Sequence, residues 1–231
     1  MNKISTKARI ASTVVIHDNV IIEDDVIIHD FVVLYPGTIL RKGAEIYDHC
    51  VIGKLPTTPG STAKTYSSEY GVTEIGEQSM LCPGVVIYTG TQIGHNTLLG
   101  DNCSIREKCV IGDFDIISRN VTVNYETEIG SYTKIMDNTH ITGNMKIGNH
   151  VFISVLVTST NDNSMGREED AVDHLVGPIV EDYVTIGAGA SLLPGVIVGE
   201  NSIVGASALV TKNVPSGKVV MGVPAKVVRD V

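Results

Sequence analysis

The stretch IGHNTLLGDNCSIREKCVIGDFDIISRNVTV, residues 93–123, repeats itself every six residues. An aliphatic side chain opens each unit, from Ile93 to Val123. A helix would repeat every 3.6 residues and a half-buried strand every two, so neither element explains this spacing. A fixed period of this kind is typical of a solenoid, in which one structural unit stacks on the next. The stretch therefore predicts an all-β solenoid.

The same phase extends over most of the chain. It runs from Ile10 to Ile52, resumes from Ile75 to Ile153, and resumes again from Val180 to Val210. These three runs hold 28 hexads, which cover 168 of the 231 residues. A repeat this continuous predicts one elongated domain over residues 1–231 rather than two ordinary ones.

Each hexad predicts a short strand followed by a tight corner. The fourth residue after each aliphatic one is small or β-branched, as at Val20, Ser79 and Ala190, and the residue directly after the aliphatic one is often glycine. We expect the aliphatic and small side chains to point inward, and Gly or Asn to let the backbone turn. Three hexads then close a triangular coil, and the chain forms a parallel β-helix of about nine coils.

The repeat is interrupted twice and ends in a cap. The first interruption, residues 53–74, contains prolines and glycines that predict an extruded loop, although no motif explains its role. The second, residues 154–179, contains the polar run TSTNDN at 158–163 and a charged stretch. Long loops in a compact fold are usually functional or disordered, so we expect function at the second loop. The cap covers residues 214–231.

Residues 18 positions apart should lie on the same face of neighbouring coils, about 4.8 Å apart. The outward residues then form three columns: Met80, Leu98, Ile116, Lys134 and Phe152; Glu74, Gln92, Val110, Glu128 and Lys146; and Val86, Ser104, Thr122, His140 and Thr158. The first column is mostly apolar and predicts a subunit interface. The second is polar and predicts a face toward solvent. The third is small and polar, with one histidine.

The corner residues support this division of the faces. The corner after the second column is always glycine, at Gly76, Gly94, Gly112, Gly130 and Gly148. The corner after the third column instead reads Tyr88, Arg106, Asn124 and Thr142. Because glycine is the least strained residue at a tight turn, four successive replacements predict a functional role for these side chains. The alternative is that this corner needs no glycine.

The candidate site follows from the position of His140. Eighteen residues further on is Thr158, which opens the second loop. This spacing predicts that His140, Asn161, Asp162, Asn124 and Arg106 lie in one neighbourhood. The other six histidines fall at turn, surface or loop positions, and we expect them to be solvated.

Composition excludes several classes of protein. The formal charge of −9 argues against a general nucleic-acid binder. The four cysteines form no CxxC motif, and three of them occupy the small inward position of a hexad, so we expect core packing. No apolar run is long enough to span a membrane, and the first ten residues lack a signal-peptide core. A cytoplasmic enzyme without membrane insertion is the simplest expectation.

The third run, VTIGAGASLLPGVIVGENSIVGASALVTKNVPSGKVVMGVPAKVVR at residues 184–229, resembles the hexapeptide-repeat acyltransferases. The resemblance implies a left-handed β-helix, a homotrimer, and an acyl-CoA co-substrate such as acetyl-CoA held between two subunits. It also implies which residues contact CoA: Gly187, Ala188, Gly205, Ala206, Lys212 and Lys226.

The segment VFISVLVTSTND, residues 151–162, resembles the part of nucleotide-sugar N-acyltransferases in which an asparagine approaches the sugar amine. The matching residue is Asn161, followed by Asp162. The implied acceptor is a nucleotide-linked amino sugar, used in surface polysaccharide synthesis.

Acyl transfer to an amine gains from a base and an oriented amine, so we expect His140 to act as base and Asn161 or Asp162 to orient the amine. A substrate-assisted reaction without a protein base stays open. Arg106 suits a diphosphate, Asn124 suits sugar hydroxyls, and Tyr88 completes the predicted acceptor site.

Three alternatives stay open. A metal-dependent hydratase on this fold needs three histidines at a subunit interface, but His140 and His150 are ten residues apart and have no second partner at the needed offset, so no metal is expected. A non-catalytic scaffold would show flat faces rich in threonine. An O-acetyltransferase acting on a small hydroxylated acceptor would share the fold and the donor.

Overall fold

A computed structural model of the chain describes residues 1–59, 67–165, 167 and 174–231. The regular elements in these ranges are 32 β-strands, most of them two residues long. In chain order they are β1 (Lys3–Ile4), β2 (Arg9–Ile10), β3 (Val15–Ile16), β4 (Ile21–Ile22), β5 (Ile27–Ile28), β6 (Val33–Leu34), β7 (Thr38–Leu40), β8 (Glu45–Ile46), β9 (Val51–Lys54), β10 (Thr73–Ile75), β11 (Met80–Leu81), β12 (Val86–Tyr88), β13 (Gln92–Ile93), β14 (Leu98–Leu99), β15 (Ser104–Ile105), β16 (Val110–Ile111), β17 (Ile116–Ile117), β18 (Thr122–Val123), β19 (Glu128–Ile129), β20 (Lys134–Ile135), β21 (His140–Ile141), β22 (Lys146–Ile147), β23 (Phe152–Ile153), β24 (Thr158–Ser159), β25 (Ile179–Val180), β26 (Thr185–Ile186), β27 (Ser191–Leu192), β28 (Ile197–Val198), β29 (Ile203–Val204), β30 (Leu209–Val210), β31 (Lys218–Met221) and β32 (Lys226–Asp230).

The strands form three parallel sheets, because each coil contributes one strand to each sheet in turn. Sheet A contains β1, β4, β7 and every third strand to β28, and sheet C contains β3, β6, β9 and every third strand to β30. Sheet B starts at β2 and ends with β31 and β32, which pair antiparallel. The chain is a left-handed parallel β-helix of about 11 turns. This confirms the predicted fold class, and the turn count is close to the prediction.

The core follows the predicted inward positions. From Ile22 onward the aliphatic side chains that open the hexads are buried; Ile46, Ile87 and Ile135, for example, are 0% exposed. Ile10 and Ile16 are half-buried against this core. The small residue of the corner is buried as well, as at Val20 and Ala190. Each aliphatic side chain that leaves water contributes about 1.5–3 kcal/mol. Two inward side chains per hexad therefore supply the core of a structure whose strands are very short.

The cysteines fit this core. Cys50, Cys103 and Cys109 are buried, Cys82 is half-buried, and all four are free thiols. Burial raises the pKa of Cys50 to about 12 and that of Cys109 to about 12. Their thiols are therefore protonated near neutral pH and pack as small apolar groups, as the sequence predicted.

The predicted stacking of residues 18 apart is also confirmed. Met80 pairs with Leu98, Ser104 with Thr122, and His140 with Thr158. The register is kept across the interruptions, since Val51 pairs with Val86 and Lys146 with Ile179. Both interruptions leave the helix at the same corner, between a sheet C strand and the next sheet A strand.

The corner glycines have a different role from the one expected. Positive φ angles occur two residues after the corner position, as at Asn96 (53°) and Asn120 (56°), and not at Gly94 or Gly112. A Cβ atom on Gly112 would instead lie 2.6 Å from the Ser131 backbone nitrogen in the next coil. These glycines are required because successive backbones approach closely. The turn itself is made two residues later by Asn or Gly, as at Asn96 and Gly84, so the expectation that Gly or Asn lets the backbone turn holds there and not at the corner glycines.

A ladder of buried polar side chains runs inside the corner between sheets A and B. Its hydroxyl groups each donate to the carbonyl of a corner glycine: Ser79 Oγ to Gly94 at 2.7 Å, Thr97 Oγ1 to Gly112 at 2.8 Å and Thr133 Oγ1 to Gly148 at 2.9 Å. The same oxygens accept from backbone N–H groups in the following coil, as Ser79 does from Thr97 at 3.0 Å. Each hydroxyl therefore acts as both donor and acceptor.

Asp115 occupies one position of this ladder, where the neighbouring coils have a serine or threonine hydroxyl. It is 1% exposed, and its Oδ1 accepts from the Thr133 N–H at 2.7 Å. Its Oδ2 is buried without a hydrogen-bond partner among the described residues. By the pattern of the ladder, the carbonyl facing this rung belongs to Gly130. Burial raises the pKa of Asp115 to about 7, so a protonated carboxyl can supply the donor that a hydroxyl supplies elsewhere.

We expect Asp115 to make stability depend on pH. Its pKa near 3.9 in the unfolded chain lies below the folded value of about 7, so the folded state holds the proton more tightly. The contribution is complete below about pH 4 and is lost as the pH rises through 7, to a limit of order 4 kcal/mol. Asp115→Asn keeps an acceptor and adds a fixed donor, so urea unfolding should show less loss of stability between about pH 5 and pH 8.5.

Asp101→Asn is the control, because Asp101 lies at a different corner, after β14, and outside the inward ladder. It should keep the pH dependence of the wild-type chain. Equal pH dependence of stability in the wild type and in Asp115→Asn would contradict a protonated Asp115 carboxyl in the ladder.

Candidate active site

The outward face of sheet C carries a column of small polar side chains around one imidazole. Along β15, β18, β21, β24 and β27 the outward residues are Ser104, Thr122, His140, Thr158 and Ser191. Thr158 and Ser191 share a hydrogen bond between their hydroxyl oxygens at 3.0 Å. His140 therefore lies between two threonines in neighbouring coils, as the spacing of 18 predicted.

His140 is held on both its ring and its backbone. Its Nδ1 shares a hydrogen bond with Thr122 Oγ1 at 2.7 Å. Its Nε2 has no hydrogen-bond partner in the part of the chain that the structure describes. The ring is half-buried, and this burial lowers the pKa of His140 from its ordinary value because the charged form loses hydration. The imidazole is therefore neutral near pH 7 and available as a proton acceptor.

Ser159 supports the backbone of His140 from inside the helix. It lies in the predicted loop 154–179, yet the structure places it in β24 at the inward position that an aliphatic residue fills in other hexads. Ser159 is 2% exposed. Its hydroxyl donates to the His140 carbonyl at 3.1 Å and accepts from the Thr142 N–H at 2.9 Å. The extruded segment thus begins after Ser159, and the sequence pattern missed this residue because serine breaks the aliphatic phase.

Asn161 and Asp162 lie at the corner beyond β24. The Asn161 amide donates to the Gly143 carbonyl at 3.2 Å, which ties the loop to the coil that carries His140. Asp162 Oδ1 accepts from the Ser164 N–H at 2.7 Å and from the Ser164 hydroxyl at 2.6 Å. Both side chains therefore stabilise the start of the loop, in the manner of an Asx turn.

These two residues line a cavity of about 490 Å³ at this corner. The cavity is bounded by Asn161, Asp162, Asn163, Ser164, His174, Val176, Pro194 and Gly195. His140 is not among them, so the structure puts His140 on the face and Asn161 at the adjoining corner, in neighbouring coils. His174, which the sequence assigned to solvent, is the histidine that borders this cavity. No periodic signal could have placed it, because it lies within the inserted loop.

Arg106, one of the predicted acceptor residues at the same corner, contacts both Glu107 and Tyr88. Arg106 donates from Nε and Nη2 to the Glu107 carboxylate, at 2.8 and 3.2 Å, and Glu107 is 5% exposed. The Arg106 guanidinium lies 4.9 Å from the centre of the Tyr88 ring, and Lys54 Nζ lies 5.5 Å from it. Asn124 follows Arg106 in the next coil, since Ile105 pairs with Val123.

A smaller cavity of about 290 Å³ lies near this group, beside the first interruption. Its lining includes Pro56, Tyr70, Glu69, Glu107, Lys108 and Glu126. The returning limb of the interruption is fixed there, because the Gly71 N–H donates to Thr89 Oγ1 at 2.8 Å and the Thr89 hydroxyl donates back to the Gly71 carbonyl at 3.2 Å.

The residues predicted to contact CoA divide into two groups on opposite edges of sheet C. Gly187, Ala188, Gly205 and Ala206 lie at the corner between sheets B and C, where a Cβ on Gly187 would be 2.5 Å from the Ala206 nitrogen. Lys226 starts β32 beside Met221, at the end of sheet B. Lys212 follows β30 and therefore lies at the corner between sheets C and A, one coil beyond Pro194.

The described part of the chain contains no cluster of three or more His, Cys, Asp or Glu side chains arranged to hold a metal ion. Over the same residues, no helix is long and apolar enough to cross a membrane.

Comparison with known proteins finds a family match over part of the chain. Residues 177–212 match the family model described as bacterial transferase hexapeptide (six repeats). The match covers 36 of the 231 residues and falls on the last run of the repeat.

A curated relative is the 2,3,4,5-tetrahydropyridine-2,6-dicarboxylate N-acetyltransferase of Staphylococcus aureus (strain JH9). It is 56% identical over 52 residues, which are 22% of this chain and 22% of the relative. The match therefore spans about a fifth of the relative's length.

Two solved structures share the fold over nearly the whole chain. The UDP-N-acetylglucosamine acyltransferase from Campylobacter jejuni has a TM-score of 0.59 at 17% identity, covering 96% of this chain and 75% of that one. The Arabidopsis UDP-N-acetylglucosamine acyltransferase has a TM-score of 0.51 at 18% identity, covering 96% and 74%. These likenesses concern the fold alone.

The burial of His140 leads to a direct test. We expect its imidazole to titrate below the ordinary histidine value of about 6.5, because burial disfavours the imidazolium. A proton NMR titration of the C2–H resonances would measure this, with His140→Gln to identify the peak. A midpoint at or above 6.5 would contradict the burial seen here.

Proposed function

We propose that the protein is an acyl-CoA-dependent N-acyltransferase that acetylates the amino group of a nucleotide-linked amino sugar. The observation that carries the proposal is the neutral, half-buried His140 on the outward face of sheet C, whose Nε2 is unengaged in the described structure. The family match over residues 177–212 and the N-acetyltransferase relative support the same class of reaction.

The corner of Gly187, Ala188, Gly205 and Ala206 is proposed to hold the acyl-CoA. Small side chains leave the backbone open at this edge of sheet C, so that N–H and carbonyl groups can contact a narrow pantetheine chain. Lys226 lies toward the end of the same edge and suits the phosphates of the nucleotide. Lys212, at the opposite edge, is closer to the cavity beside Asn161 and would contact either CoA or the acceptor.

The reaction needs a neutral amine near the thioester carbon and a group to take the proton that the amine loses on attack. His140 is proposed as this base, because its lowered pKa keeps Nε2 unprotonated at neutral pH. A backbone N–H of the coil would stabilise the tetrahedral oxyanion, a contribution of about 2.7–4 kcal/mol in other enzymes. Asn161 and Asp162 would orient the acceptor from the adjoining corner, and Arg106, Asn124 and Tyr88 would bind its remaining groups.

The reaction is tested by an acceptor panel. With acetyl-CoA as donor, we expect release of free thiol with at least one nucleotide-linked amino sugar, and mass spectrometry should show the acetylated amine. His140→Gln should lower kcat by about 10²–10⁴-fold, because the general base is lost. Gln92→Glu, on the polar face of sheet A, is the matched control. Release of thiol only with hydroxyl acceptors would establish an O-acetyltransferase instead, and no release with any acceptor would contradict the proposal.

The outward face of sheet B is proposed to form the interface of a homotrimer. Leu98 and Ile116 are half-buried on this face, and Met80 and Phe152 are 36% and 38% exposed. The adjoining corner adds a ladder of stacked rings, with Phe114, Tyr132, His150 and Tyr183 spaced 4.9–5.1 Å apart. A mostly apolar surface of this kind, interrupted here by Lys134, is typical of contacts between subunits.

Light scattering should therefore give three times the mass of the chain. Leu98→Glu places a charge in the centre of the apolar column, and we expect it to yield monomers. Gln92→Glu adds the same charge on sheet A and should leave the mass unchanged. A monomeric wild-type protein would contradict the interface.

A further inference from the structure

A buried hydroxyl occupies an aliphatic position directly beside the strand of His140. In a regular coil the N–H of the residue after the inward position donates to the backbone carbonyl in the next coil, as Asn124 does to Ile141 at 2.9 Å. Thr142 instead donates to the Ser159 hydroxyl oxygen at 2.9 Å, and that hydroxyl donates to the His140 carbonyl at 3.1 Å. Ser159 therefore binds the backbone on both sides of Ile141.

Burying a hydroxyl in an aliphatic core is unfavourable unless its hydrogen bonds are made. Ser159 makes both of its hydrogen bonds, but a valine at this position would pack in the core without needing any. The repeat alone therefore gives no reason for serine at position 159. The group that its hydroxyl holds in place is the peptide segment that carries His140.

The side chain of Thr122 contacts the imidazole ring of His140. The Thr122 and His140 strands pair in register, which fixes the two side chains side by side on the face. The distance of 2.7 Å between Oγ1 and Nδ1 is that of a strong hydrogen bond. Thr122 Oγ1 makes no other hydrogen bond in the described part of the structure, so it is available as an acceptor for an Nδ1 proton.

We propose that Thr122 and Ser159 are positioning residues for His140: Thr122 accepts from Nδ1–H and so leaves the lone pair on Nε2, while Ser159 fixes the backbone from which the ring projects. The proposal rests on the proposed role of His140 as base. A base must accept a proton on the nitrogen that faces the substrate, and the hydrogen bond at the other nitrogen selects the tautomer. Neither residue needs to touch the substrate.

The tautomer of His140 can be measured directly by NMR, without an activity assay. In ¹⁵N-labelled protein above the His140 titration midpoint, long-range ¹H–¹⁵N NMR should show Nδ1 protonated and Nε2 bare. Thr122→Val removes the acceptor and nearly keeps the shape of the side chain, so the ring should shift toward the Nε2–H tautomer. Thr122→Ser restores the hydroxyl and should restore the Nδ1–H form.

Ser104→Ala is the matched control, because Ser104 is the outward hydroxyl one coil further along the same column. It should leave the His140 tautomer unchanged. An Nε2–H tautomer in the wild type, or no change of tautomer in Thr122→Val, would overturn the role of Thr122.

Ser159 is tested by kinetics together with stability. Ser159→Val gives the hexad its usual aliphatic residue, so we expect an unchanged or higher urea midpoint but a kcat at least tenfold lower, with little change in KM. Ser159→Thr keeps the hydroxyl and should recover most of kcat. Full activity in Ser159→Val would overturn the role of Ser159.

The two proposals fail in different ways. If no acceptor is acetylated, the proposed function is wrong, but the NMR experiment still shows whether Thr122 selects the His140 tautomer. If acetylation occurs and the tautomer does not respond to Thr122, the function stands and the positioning role is wrong.

Discussion

The stacking of one inward aliphatic side chain on the next is the interaction on which the rest of the structure depends. Ile87, Ile105 and Val123 are fully buried and follow one another in sheet C because its strands pair directly in register. Each such side chain contributes about 1.5–3 kcal/mol on leaving water. Because a coil contacts mainly its two neighbours, stability is distributed along the stack and no single coil is decisive. Loops can therefore leave a corner without disturbing the register on either side.

Because the inward aliphatic side chains stabilise the stack, the outward positions are free to carry chemistry. A polar residue at an inward position is then informative, since the stack does not need it. A polar group in the core is retained only when its hydrogen bonds are satisfied. Ser159 satisfies its bonds on the backbone beside His140, whereas Asp115 Oδ2 is buried without a partner among the described residues. Ser159 thus supports the candidate base, His140, from within the core. Asp115 lies on another corner of the stack, where burial raises its pKa.

The sequence predicted the faces well and the corners poorly. The column of Thr122, His140 and Thr158 follows directly from the period, since a constant spacing places residues one above another. The corner glycines were explained by the wrong property, because their φ angles are ordinary and the constraint is the approach of the next backbone. His140 and Asn161 were expected in one neighbourhood, and they occupy neighbouring coils, with His140 on the face of sheet C and Asn161 at the corner that follows it. Lys212 and Gly187 lie at opposite corners of sheet C, because a strand of that sheet separates them.

What the sequence determined by itself was the period, and with it the inward column, the three faces and the register. These features depend on spacing along the chain and on the burial of aliphatic groups, both of which can be read from residue types. The tertiary structure alone decided the partner of each polar side chain. It showed that Thr122 holds Nδ1 of His140, that Glu107 binds Arg106, and that His174 borders the cavity beside Asn161. Such contacts depend on side-chain rotamers and on the path of an inserted loop, and neither follows a repeat of six.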